Sequence, residues 1–160
     1  MERTTDPPDN HITLTIAPDA ASVNDVITGV RSTCRAAGIS SSDAETLVVE
    51  LFNNVIKHAA GQGKTPVTID LDATDYALRG AVHDLDPRIP RVPTAVAPGT
   101  EGAGEIGDWT KYDENGGWGL GLCASLCAGG RFEFVREDEG KAAKFCLPAL
   151  PNAPGEKAAA

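Results

Sequence analysis

Between Ser42 and Ala59 the apolar residues Ala44, Leu47, Val48, Leu51, Phe52, Val55, Ile56 and Ala59 recur at intervals of three and four. That is the period of one face of an α-helix, and a stripe this long must be buried against a second layer of structure. Ser42 and Glu45 have capping-box spacing, which predicts where the helix starts. An earlier helix is predicted to open at Pro18-Asp19, with Val23, Val26, Ile27, Val30 and Cys34 on one face and Gly38 as its stop. The partner layer is β. His11 to Ala17 alternates polar and apolar residues, as a half-buried strand does. Two further strands are predicted at 67–71 and 76–83, joined by a turn at 72–75. A short helix is predicted from the glycine cluster at 116–121 through Cys127. Strands at 131–136 and 142–147 then close the pattern, with a turn at Glu139-Gly140.

Strands cluster in this order instead of alternating with helices. The expected class is α+β: a two-layer sandwich with a mixed, mostly antiparallel sheet and helices on one face. Residues 11–148 read as one domain. Residues 1–10 and 149–160, rich in Pro, Asp, Ala and Gly, read as flexible ends.

Composition narrows the function. With 14 basic and 23 acidic residues the net charge is −9, which argues against a direct nucleic-acid binder. The chain is 41% hydrophobic yet has no apolar run of bilayer length and no secretory signal, so no membrane association and a cytoplasmic location are expected. Its four cysteines, at 34, 123, 127 and 146, form no CxxC and have no zinc-finger spacing. Cys123 and Cys127, one helical turn apart beside Leu122 and Leu126, read as buried small hydrophobes, with a metal or redox pair as the alternative.

Three features are candidates for chemistry. Off the apolar stripe of the second helix, Glu50, Asn54, Lys57 and His58 form a polar ridge. A carboxylate and a carboxamide oxygen one turn apart are the hard ligands that Mg²⁺ accepts, but a solvated helix face has the same pattern. Asp84, at a strand end, either shapes a turn or aims a carboxylate into a pocket to accept from an amino group such as adenine's. The glycines before the third helix expose backbone N–H groups at a helix N-terminus, a place suited to phosphate, or else form a hinge. They match neither a P-loop nor GxGxxG. Between Asp84 and this cluster lies a Pro- and Gly-rich stretch without periodicity, 86–115, and loops of that length are usually functional or disordered.

Taken in this order, the features resemble the GHKL (Bergerat) ATP-binding family. Val48 to Ala59 is similar to the N-box of bacterial anti-sigma-factor serine kinases, Gly117 to Leu122 to the second glycine box, and Gly140 to Leu147 to the closing strand. The resemblance implies ATP and Mg²⁺ as cofactors, with Asn54 as metal ligand and Glu50 as general base. It implies that Asp84 reads the adenine amino group, that Gly117, Gly119 and Gly121 hold phosphates, and that 86–115 is the ATP lid. His58 and Leu120 fall within the matching boxes and are placed at the nucleotide. Lys111 has no family counterpart and joins the set because a lid lysine near phosphate is physically reasonable. Where the family's first glycine box reads Asp-x-Gly-x-Gly, this chain has Asp84-Leu85-Asp86-Pro87-Arg88.

The implied function is an anti-sigma-factor-type serine/threonine kinase that phosphorylates a small antagonist protein and sequesters a sigma factor. The alternative is a non-catalytic anti-sigma-type module that binds nucleotide weakly or not at all. The resemblance also favours a homodimer.

Overall fold

A computed structural model describes residues 10–59, 65–90 and 117–148. Five strands, β1 (His11–Ile16), β2 (Val67–Ala73), β3 (Ala77–Asp84), β4 (Arg131–Glu137) and β5 (Gly140–Pro148), form one sheet in the order β1-β2-β3-β5-β4. All four pairings are antiparallel. Three helices, α1 (Val23–Ala37), α2 (Ser42–Ala59) and α3 (Gly117–Leu126), complete the α+β sandwich.

Strand alternation decides which face the helices cover. Ile12, Leu14 and Ile16 of β1 share a face with Val67, Ile69 and Leu71 of β2, and with Leu78 and Val82 of β3. Phe145 and Leu147 of β5 and Phe132 and Phe134 of β4 continue it. These pack in one cluster with Val26, Val30 and Cys34 of α1, Leu47, Val48, Leu51 and Phe52 of α2, and Leu120 and Cys123 of α3. The opposite face is polar. There His83 lies between Glu137, 3.0 Å from its Nδ1, and Asp70, 3.1 Å from its Nε2, while Thr13 donates to Asp70 at 2.6 Å.

The predicted elements form with small shifts. Asp19 caps a short 3₁₀ turn at Ala20–Ser22, so α1 itself begins only at Val23. The capping box is replaced. Ser42 already lies inside α2, and it is the Ser41 hydroxyl that donates to Glu45 Oε1, at 2.7 Å. Arg31 of α1 binds the same carboxylate through Nε and Nη2, tying the two helices together. Asp43 and Glu45 in the first turn of α2, and Lys57 and His58 in its last, complement the helix dipole. Cys34, Cys123 and Cys127 are buried free thiols, as expected of small hydrophobes. Burial pushes the Cys123 thiol up to about 12 and Cys127 up to about 11, so neither is a ready thiolate at neutral pH. Among the described residues no helix is long and apolar enough to cross a membrane.

Candidate functional site

Asp84 and Lys141 face each other in the register of β3 and β5. Both lie in the phase of the sheet that faces the helices, so two charged side chains are carried to the inner end of the core. Lys141 is held there with its side chain only 5% exposed. Its Nζ donates to Asp84 Oδ1 at 3.1 Å and to the Asp86 carbonyl at 2.9 Å. Asp84 Oδ1 also accepts from the backbone N–H of Asp86 at 2.7 Å. Asp84 is thus fixed by two donors and is more than a turn residue. A buried ammonium needs this satisfaction, because removing one partner would strand the other charge.

Asp86 and Arg88 stand where two glycines were expected by resemblance, and they bind each other. Arg88 donates to the Asp86 carboxylate through its backbone N–H, Nε and Nη2, at 2.7–3.1 Å. The Arg88 hydrogen bonds, with help from the Lys141 and Arg88 charges, hold the Asp86 carboxyl well below the usual carboxylate range. A depressed carboxyl contributes stability that is complete above its unfolded value, about pH 4, and lost as pH falls through the folded value. Urea unfolding between pH 5 and pH 2 is therefore expected to lose stability more steeply in the wild type than in Asp86→Asn. Parallel curves would show that the pair contributes nothing.

Above this floor lies an open cleft lined by Pro18, Asn54, Val55, His58, Thr65, Pro66, Val67, Asp84, Leu85, Asp86 and Lys141. It brings together three of the residues singled out in the sequence: Asn54 and His58 from the last two turns of α2, and Asp84. Asn54 is half-buried and His58 exposed.

Glu50, one turn before Asn54 and half-buried, faces α3. A Cβ on Gly119 would lie 2.5 Å from Glu50 Oε2, so the carboxylate sits over the first turn of α3 because that position has no side chain. Gly117, Gly119, Leu120 and Gly121 all belong to the first half of α3, whose leading N–H groups have no partner within the helix. The Leu120 side chain is in the core, so that residue can offer a ligand only its backbone. Lys111 and 91–115 of the predicted lid lie outside the described residues.

Among the described residues no three His, Cys, Asp or Glu side chains gather as a metal site. The donor set here is smaller: Asn54, with Glu50 one turn away. It fits Mg²⁺, which takes one or two protein oxygens and completes its shell with phosphate and water.

The arrangement is a sheet-end cleft with a fixed carboxylate at its floor and a carboxamide on a helix wall, and one turn back along that helix Glu50 sits against a glycine-rich helix start. A family model described as the histidine kinase-like ATPase domain matches residues 16–146. The chain belongs to that family. Among solved structures, this ATPase domain is similar to the RsbU and RsbW domains of Rv1364c from Mycobacterium tuberculosis, with a TM-score of 0.58 and 14% identity. The match covers 88% of this chain and 33% of that one, and at this identity it speaks for the fold. The chain thus spans about a third of that neighbour's length. No curated protein matches the chain.

Sequence reasoning missed Lys141 and Asp86. Lys141 did carry a signal: it shares the phase of Ala143, Phe145 and Leu147, and a lysine on the buried face of a strand requires a partner.

Proposed function

We propose that this ATPase domain binds ATP with Mg²⁺ in the cleft and acts as an anti-sigma-type serine/threonine kinase. It would phosphorylate a serine of a small antagonist protein and sequester a sigma factor. The observation that carries this reading is one ridge of α2 with Asn54 in the cleft beside Asp84 and, one turn earlier, Glu50 against Gly119 at the start of α3. The RsbW domain of the structural neighbour supports the choice of partner class.

Each residue has one task in this reading. Asp84 accepts from the adenine amino group, and the backbone N–H groups at the start of α3 receive phosphate oxygens. Asn54 holds the cation, which when bound neutralises charge on the phosphates. Glu50 accepts the proton of the serine hydroxyl as its oxygen attacks the γ-phosphorus and ADP departs.

Calorimetric titration with ATP and ADP, with and without Mg²⁺, tests the binding. Asn54→Ala is expected to keep the wild-type melting temperature, because its side chain lies outside the apolar stripe. It should lose about tenfold or more in Mg-ATP affinity, ~1.4 kcal/mol. Unchanged affinity would remove Asn54 as metal ligand. Absence of ATP binding by the wild type would favour the non-catalytic sequestering module, in which the Asp86–Arg88 pair has only a structural role.

A further inference from the structure

The floor of the cleft presents a pair of groups of opposite hydrogen-bonding sense. An ammonium has three protons. Lys141 commits one to Asp84 Oδ1 and one to the Asp86 carbonyl, and Asp86 Oδ2 at 4.0 Å is beyond hydrogen-bond reach, which leaves one proton uncommitted on a residue that lines the cleft. A carboxylate offers two oxygens. Asp84 Oδ1 is occupied by Lys141 and by the N–H of Asp86, which leaves Oδ2 as its accepting oxygen toward a ligand. The Asp86 carboxylate is taken up by Arg88 at both oxygens. The floor therefore offers one acceptor and one donor, side by side on neighbouring strands.

We infer that Lys141 is a base-specificity residue, donating its third proton directly to N1 of a 6-aminopurine whose amino group donates to Asp84 Oδ2. This rests on the reading of the cleft as a nucleotide site and adds to it the atom that Lys141 recognises. The donor–acceptor count selects the base. A 6-aminopurine edge presents one donor, the amino group, and one acceptor, N1. A 6-oxopurine edge reverses both: its oxygen would face a carboxylate oxygen and its N1–H an ammonium. Guanine's second donor would also need an acceptor that Asp84 Oδ1 and Asp86 no longer supply. A site built to hydrogen-bond one edge rejects the other because its own buried groups are left unpaired.

The test removes the contact from the ligand side first. Calorimetry on the full chain with ATP, 1-deaza-ATP, 7-deaza-ATP and GTP is expected to give equal affinity for ATP and 7-deaza-ATP. It should give about 10- to 100-fold weaker binding of 1-deaza-ATP, the scale of one hydrogen bond from a charged donor, and still weaker binding of GTP. In Lys141→Met the 1-deaza penalty should collapse to within about twofold. If the Met variant does not fold, Lys141→Arg keeps the charge beside Asp84 and relocates the donor, and the penalty should shrink there too. Equal binding of ATP and 1-deaza-ATP by the wild type overturns the inference while leaving the nucleotide site standing. So does a 1-deaza penalty that survives in the folded variants. A wild type that binds none of the four nucleotides overturns the site itself, and the inference with it.

Discussion

Glu50→Gln is expected to bind ATP as the wild type does and to transfer the phosphoryl group about 10²- to 10⁴-fold more slowly. That is the scale of a positioned acid–base group, about 3–5 kcal/mol of barrier. Glutamine keeps the size and reach of glutamate but has no basic oxygen. The position over Gly119 makes the comparison clean, since the amide fills the same space above the first turn of α3 without a new clash. If Glu50 were only part of a solvated face, the substitution would be nearly silent, within about 0.5 kcal/mol of stability and without effect on rate. The measurement is single-turnover transfer to a serine-bearing antagonist that the wild type phosphorylates, with ATP affinity determined in parallel. A fully active Glu50→Gln protein would refute the base assignment.

Gly140→Ala is expected to cost about 2–5 kcal/mol of stability and to weaken ATP binding in the protein that remains folded. Gly140 has φ 101°, a conformation that side-chain-bearing residues rarely adopt, and strain of that kind is worth about 1–2 kcal/mol. Its added Cβ would meet backbone as well, namely the Asp84 carbonyl and the Leu85 Cα. Overpacking adds about 1–3 kcal/mol. The atoms in the way belong to the segment that aims Asp84, so relief of the clash moves the floor of the cleft. Urea unfolding reads the first effect and calorimetry under folded conditions the second. A variant with wild-type stability would show that the β4–β5 turn has slack. A destabilised variant with unchanged ATP affinity would separate the turn from the site.

Periodicity gave the helix over 42–59, the strand at 11–17 and the two-layer class. A 3.6-residue stripe and a two-residue alternation each have one way to bury their apolar side. The same patterning separated Glu50, Asn54 and His58 from the core side of α2. Fine boundaries were less legible. Ser41 and Ser42 are equally good caps by type, and Arg31, from another helix, takes part in holding the Glu45 carboxylate that marks the start of α2.

What the sequence determined by itself, then, is the set of elements, the face each one buries and the candidate residues along α2, because all of these follow from local spacing. The tertiary structure decided which of the candidates meet. Pairing of β3 with β5 sets Asp84 opposite Lys141, 57 positions later in the chain. Packing of α3 on α2 sets Glu50 over Gly119. Such contacts depend on strand register and helix docking, which are set by the shape and volume of the whole core and not by spacing along the chain.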